Sequence, residues 1–318
     1  MSTPPVDMTS IAALHERIAD GAAQVVSGQR EALHLAFLAL LCSGHVLLEG
    51  VPGVAKTLIV RTLALLLRVR FGRVQFTPDL MPSDVIGTPV LRPQTGEFEF
   101  RAGPLFTDLL LADEINRAPA KTQAALLEAM QERGVTVDGQ RHELGPHFAV
   151  FATQNPVEHE GTYSLPEAEL DRFLFKIVVD YPDEGAEREL LTRHHLGSQA
   201  PGLETVADAA ELLAARALVD RVLVSPEIVA YVATLVRATR ADALFSLGAS
   251  PRAGVALLRA AKARAATSGR DFTLPEDVQA VWLPTLRHRI QLDPSAEVEG
   301  LLPDDALGRA LSAVAVPR

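Results

Sequence analysis

Cysteine is almost absent from this 318-residue chain; the one present is Cys42. A lone cysteine excludes an internal disulfide and a cysteine-built zinc cage. It lies in an apolar run, where a buried thiol behaves as a small hydrophobe. Basic residues are also in deficit, 30 Lys and Arg against 40 Asp and Glu, for a formal net charge of −10. That balance argues against a surface built to coat nucleic acid, though a local basic site stays compatible with it. The opening stretch, MSTPPVDMTS, has no basic segment followed by an apolar core, so no secretory signal is expected. The longest apolar stretches, residues 35–48 and 58–67, are interrupted or too short for the ~20 residues of a membrane span. Repeats and low-complexity tracts are missing, which removes solenoids and disordered tails. The expectation is a soluble, cytoplasmic protein.

What is present fits about two domains at ~150 residues each. Up to about Asp180, short apolar runs alternate with helical patterns, as in a parallel α/β sheet. Residues 45–49 (HVLLE), 109–112 (LLLA), 148–153 (FAVFAT) and 173–179 (FLFKIVV) read as strands covered on both faces, with 73–76 a weaker fifth. Helices are expected over 56–68 and 119–133. Residues 135–144 read as a hairpin about Asp138-Gly139. After Asp183 strands are not expected; residues 187–195, 206–215, 226–237, 251–267 and 275–289 read as Ala- and Leu-rich helices. The expected division is an α/β domain over residues 1–183 and an all-α domain over 184–318, joined near Pro182-Asp183-Glu184-Gly185.

Between a strand and a helix lies Gly50-Val51-Pro52-Gly53-Val54-Ala55-Lys56-Thr57. In that setting backbone N–H groups cradle phosphate, a lysine neutralises its oxygens and the following hydroxyl holds Mg²⁺. Ala55 stands where the pattern GxxxxGK[ST] has its last glycine, a methyl tolerable if φ there is negative. Asp113 and Glu114 end the strand 109–112, which suits a carboxylate on the Mg²⁺ shell followed by a general base; the bland alternative is helix capping. Asn155 follows strand 148–153, where it could orient water, touch the γ-phosphate or simply make a turn before Pro156. Arg252 opens a helix, the wrong end of the dipole for a cation, so phosphate contact is one reason for its place. Arg172 precedes a strand, as an arginine finger or as a plain partner of Glu167, Glu169 or Asp171. The histidines (His142, His147, His159, and the adjacent His194-His195) form no metal set.

These elements, in this order, resemble the AAA+ ATPases, and the text between them resembles the MoxR family of the helix-2-insert clade. The likeness rests on residues 50–57 (GVPGVAKT), 75–87 (QFTPDLMPSDVIG), 100–132 (FRAGPLFTDLLLADEINRAPAKTQAALLEAMQE), 151–173 (FATQNPVEHEGTYSLPEAELDRF) and 286–290 (LRHRI). It covers most of residues 25–180 and the C-terminal part more thinly. Ala55, odd for a generic phosphate loop, is usual in that family. The resemblance implies a P-loop AAA+ fold: a five-stranded parallel sheet in order 5-1-4-3-2, flanked by helices and followed by an all-α lid. It implies ATP and Mg²⁺ as cofactors and a homo-oligomeric ring, usually a hexamer, with ATP between subunits. Lys56 and Thr57 then belong to Walker A, Asp113 (on Mg²⁺, through water) and Glu114 to Walker B, and Asn155 is sensor 1. Arg172 matches the finger reaching a neighbour's site, and Arg252 matches sensor 2, in cis or in trans. The segment 25–29, with Gly28 and Gln29, resembles the one flanking adenine, contacting it by backbone rather than through the Gln29 side chain. The hairpin 135–144 and an insert near 79–90 resemble elements that transmit nucleotide state to a substrate.

Family members act as chaperone-like ATPases that mature protein clients, often with a von Willebrand factor A domain partner. The implied function is therefore a remodelling motor on a protein, without a stable nucleic-acid partner. A DNA-remodelling or transcription-regulating motor is the alternative from another class; the acidic balance, the missing basic stripe and the missing Gly-Ala-Phe-Thr-type loop weigh against it. A metal-chelatase motor subunit would share every ATPase residue. A nucleotide-gated scaffold without hydrolysis fits poorly with Lys56, Asp113, Glu114 and Asn155 all present.

Overall fold

A computed structural model describes residues 8–155, 163–195 and 202–317; His159, Pro156 and the stretch between Asn155 and Tyr163 lie outside them, as does the His194 side chain. The first half runs α1 (Thr9–Ala23), α2 (Arg30–Leu41), β1 (His45–Glu49), α3 (Lys56–Leu66), β2 (Phe71–Gln75), α4 (Pro82–Ile86), β3 (Gly87–Leu91), β4 (Phe98–Ala102), β5 (Leu109–Asp113), a 3-10 turn (Ile115–Arg117), α5 (Ala120–Glu132), β6 (Gly134–Val137), β7 (Gln140–Glu143), β8 (Ala149–Gln154), α6 (Glu167–Leu170) and β9 (Phe173–Val178). Five of these strands form a parallel sheet in the order β2-β5-β8-β1-β9. With the sheet strands numbered in chain order this is 5-1-4-3-2, the expected arrangement.

The apolar runs work because successive side chains of a strand point to opposite faces. Leu109 and Leu111 of β5 enter one core, with α2, α3 and the C-terminal helices, whereas Leu110 and Ala112 enter the other, beneath α5. A strand buried on both faces cannot afford an alternating polar residue, hence LLLA. Cys42 lies in the first core, and burial pushes its thiol up to about 12. At the carboxyl edge, register sets Glu49 beside Gln154 and Gln75 beside Asp113, so the phosphate loop, the acid pair and Asn155 converge there.

The hairpin β6–β7 turns at Asp138 (φ 49°) and Gly139 (φ 77°), the double positive φ of a type I′ turn. A second hairpin, β3–β4, extends the insert beyond its expected end to Ala102. The two are joined by Phe100 stacked on His142, ring centroids 3.9 Å apart. The helix α1 had no counterpart in the sequence expectation.

The C-terminal half comprises α7 (Glu184–His195), α8 (Ala209–Asp220), α9 (Pro226–Ala241), β10 (Phe245–Leu247), α10 (Pro251–Thr267), α11 (Pro275–Ala280), α12 (Trp282–Leu286), β11 (Gln291–Leu292), α13 (Pro294–Val298) and α14 (Pro303–Ala313). Ser225 and Ser250 cap α9 and α10 ahead of a proline, and Asp208 with Glu211 forms the box that starts α8 later than expected. Two expectations are corrected. The helix over 275–289 is broken, because Pro284 has no N–H to give the Ala280 carbonyl; α11 stops there and Pro284 falls in the first turn of α12. Strands also do not end at Asp183: β10 and β11 pair antiparallel, too short to show an alternation.

Candidate functional site

Gly50 leaves β1 against the Val179 carbonyl, where any Cβ would lie 2.2 Å from that oxygen. The loop then turns through Gly53 (φ 88°) and Ala55 (φ 65°) into α3. The condition that would make a methyl easy at Ala55, a negative φ, is not met: the residue sits in the left-handed region, at a cost of roughly 1–2 kcal/mol. The loop keeps this turn because Lys56 and Thr57 must open the helix, Val54 being buried against Gly50. Lys56 Nζ donates to the carbonyls of Gly50, Val51 (3.4 Å) and Gln154 (3.4 Å). Its ammonium is thus anchored between the loop and the end of β8.

A cavity of about 370 Å³ opens in front of this loop, lined by Gly53, Lys56, Thr57, Asp113, Glu114, Thr153 and Asn155 among others. Asp113 Oδ1 accepts from Thr153 Oγ1 at 2.6 Å, and its Oδ2 accepts from Arg73 Nη2 at 2.7 Å. Thr153 also accepts from the Glu114 N–H at 2.8 Å, so one hydroxyl on β8 ties both acids. Glu114 adopts φ 55°, and its Oε2 accepts from Gln75 Nε2 (2.7 Å) and Arg117 Nη1 (2.9 Å). Asn155 is buried at the cavity wall. Helix start, lysine, hydroxyl and carboxylate fit a phosphate chain with a hard cation that keeps part of its water. Arg73, Gln75, Arg117 and Thr153 were missed by the sequence reading; the signal available was that 73–75 forms a strand, whose neighbour only topology reveals.

Arg172 and Arg252 do not join this cavity. Together they line a second cleft, of about 300 Å³, whose walls include His45, Arg133, Asp171, Arg259 and Arg289. Asp171 accepts from Arg289 rather than from Arg172. His45 lends Nδ1 to the Val150 N–H and Nε2 to the Met130 carbonyl; burial holds it neutral, pushed down to about 4. Gly28 (φ 75°) and Gln29 lie at a third cavity, of about 400 Å³, between Asp180-Tyr181 and the lid residues Leu283 and Arg287. The Gln29 side chain is buried and donates to the Asp180 carbonyl at 2.7 Å. Among the described residues no group of three or more His, Cys, Asp or Glu is placed to hold a metal, and no helix is long and apolar enough to cross a membrane.

Residues 45–175 match the family described as "ATPase family associated with various cellular activities (AAA)", and residues 237–309 match the AAA lid domain. The chain is 44% identical over 304 residues to Chaperone MoxR1 of Mycobacterium tuberculosis, covering 93% of this chain and 80% of that protein. It is 46% identical to protein YeaC of Bacillus subtilis, covering 92% of each. The chain belongs to the MoxR family of AAA+ ATPases. A crystal structure of a candidate ATPase from Cytophaga hutchinsonii matches with a TM-score of 0.90 at 40% identity, over 98% of this chain and 97% of that one. The fold is accordingly that of a P-loop AAA+ protein with its lid, and this MoxR-family protein is a nucleotide-binding ATP hydrolase.

Proposed function

We propose that this MoxR-family ATPase works as a homo-oligomeric ring, a hexamer, in which each ATP lies between two subunits and hydrolysis drives remodelling of a protein client. The observation that carries the reading is the separation of two half-sites. Lys56, Thr57, Asp113, Glu114 and Asn155 share one cavity, whereas Arg172 and Arg252 share another. A cation that stabilises transition-state charge must touch the phosphate, and arginines in another cleft serve that purpose when a neighbour's phosphate faces them. On this reading both Arg172 and Arg252 act in trans.

Within a subunit, residues 50–57 bind the phosphates by backbone N–H groups and Lys56. Thr57 and Asp113 would hold Mg²⁺, the latter through water, which supplies charge neutralisation at the phosphates. Glu114 takes the proton of the attacking water, and Asn155 orients that water or the terminal phosphate. Gly28 flanks adenine by its backbone, with Gln29 holding that segment to Asp180. Residues 1–183 form the nucleotide domain and 184–318 the lid. The name of the mycobacterial relative supports a chaperone-like role. The client is a protein with, or presented by, a von Willebrand factor A domain, in the cytoplasm.

Glu114→Gln should retain nucleotide while turnover falls by about 10²–10⁴. Capture with the ATP-bound Glu114→Gln assembly should enrich a von Willebrand factor A protein over the ADP-bound control. Salt-dependent capture of DNA in its place would transfer the protein to the DNA-remodelling class.

A further inference from the structure

Arg287, His288 and Arg289 follow α12 directly, where the lid leaves its helix and meets β9. Arg289 is only 9% exposed, and its guanidinium is spent entirely on the segment that carries Arg172 and on the preceding helix α12. Nε donates to Asp171 Oδ1 at 2.6 Å, and Nη2 donates to the carbonyls of Asp171 (3.1 Å) and Phe173 (2.6 Å). Nη1 donates to the Leu174 carbonyl at 3.0 Å and to that of Thr285. His288 Nε2 adds a donor to the Phe173 carbonyl at 2.9 Å. Asp171 and Phe173, the residues on either side of Arg172, are therefore both fixed by the lid.

A guanidinium offers its donors in a rigid planar fork, so this set cannot be reproduced by a lysine. Breaking the buried pair with Asp171 by removing one partner would strand a charge. The same short segment touches both ends of the nucleotide problem. Arg289 lines the cleft of Arg172 and Arg252, while Arg287, two residues earlier, lines the cavity beside Gly28 and Gln29. Arg287 is itself held, by Asp304 at 2.8 Å and by the Lys176 carbonyl at 3.4 Å.

The geometry points to Arg289 as a positioning residue for hydrolysis in the neighbouring subunit: through Asp171 and the flanking carbonyls it sets where Arg172 presents its guanidinium, and it ties that presentation to the lid that carries Arg252. This rests on the reading of Arg172 as the residue lent across the interface. Misplacement by about 1 Å can cost ~10²-fold in rate, so a lost fork matters without any change in nucleotide binding. Arg289 therefore counts in the subunit that lends the arginine and not in the subunit that hydrolyses.

Mixed assemblies test this. Glu114→Gln subunits can lend Arg172 but not hydrolyse, and Arg172→Ala subunits can hydrolyse but not lend, so their mixture recovers turnover. Arg289→Lys placed in the lending subunit should lower the kcat of the mixture about 10- to 100-fold, with KM for ATP changed by less than about twofold. Placed in the hydrolysing subunit, it should change kcat by less than about twofold. Asp171→Asn, nearly isosteric, should repeat the asymmetry where the lysine variant folds poorly; thermal melting and binding of a fluorescent ADP check each subunit. Equal losses from either subunit, or no loss from the lender, would overturn the positioning role while leaving Arg172 as the lent residue. A parental mixture that recovers no turnover would overturn the lent arginine, and the role of Arg289 with it.

Discussion

Gln75 Nε2 donates to Glu114 Oε2 at 2.7 Å, reaching from β2 to the acid that follows β5. The same oxygen accepts from Arg117 at 2.9 Å. With both donors in place, Oε2 is occupied, and a water to be activated must bond Oε1 or displace one of them. With Glu114 as the proposed general base, these two donors restrain one of its oxygens and leave the phosphate loop untouched.

Gln75→Ala removes one such donor. Turnover at saturating ATP should rise about 2- to 10-fold, the worth of one hydrogen bond, with KM unchanged. Steady-state phosphate release checks this; a tenfold fall would instead mean that Gln75 aims Glu114 at its water.

Arg172→Ala should lose about 10³–10⁵ in kcat while nucleotide affinity stays near that of the unaltered protein. In the unaltered protein, turnover per subunit should rise with concentration. Activity independent of concentration down to a demonstrably monomeric sample would remove the shared site.

Ala55→Gly relieves a left-handed alanine but adds freedom to the unfolded chain. The first effect is roughly 1–2 kcal/mol and the second roughly 0.4–1 kcal/mol, so a net gain of about 0.5–1 kcal/mol is expected in urea denaturation. A loss would place the loop in a different conformation from the one described.

Acid should destabilise the protein before most carboxylates titrate. Burial pushes His45 down to about 4 and, with His15 and Arg264 nearby, His34 down to about 3; His288, beside Arg289, lies well below the ordinary histidine range. Their folded values are depressed, so below about 6.5 the unfolded chain binds protons that the folded chain refuses. The stability present above that pH is lost as pH falls towards 4. Three such groups give a slope that grows from about 1 kcal/mol per pH unit near pH 7 to about 4 near pH 5, read from urea midpoints across that range. A flat profile would mean that these rings find room for a proton in the fold.

Local chemistry made much of this legible. Buried strands announce themselves as apolar runs, and the phosphate loop is contiguous in sequence, so Gly50 to Thr57 could be read as one motif. The acids Asp113 and Glu114 could be read because they end such a run. Thr153, Arg73 and Gln75 could not, since their meaning comes from strand neighbours about 40 residues away that only the β2-β5-β8 order supplies. The division between the two clefts was hidden for the same reason. Pro284 was visible, yet its effect depends on which carbonyl it fails to bond, and the backbone of Ala55 reverses the sign of φ that its side chain suggests.

β9 is an edge strand of the sheet. The lid arginines that meet its Leu174 and Lys176 carbonyls also occupy hydrogen-bonding groups that an edge would otherwise offer to any extended chain. Without those arginines the edge would be a sticky border, so the lid contact also guards the sheet against aggregation. A truncation ending before residue 287 should therefore precipitate more readily than the full chain, although it keeps every strand of the five-stranded sheet.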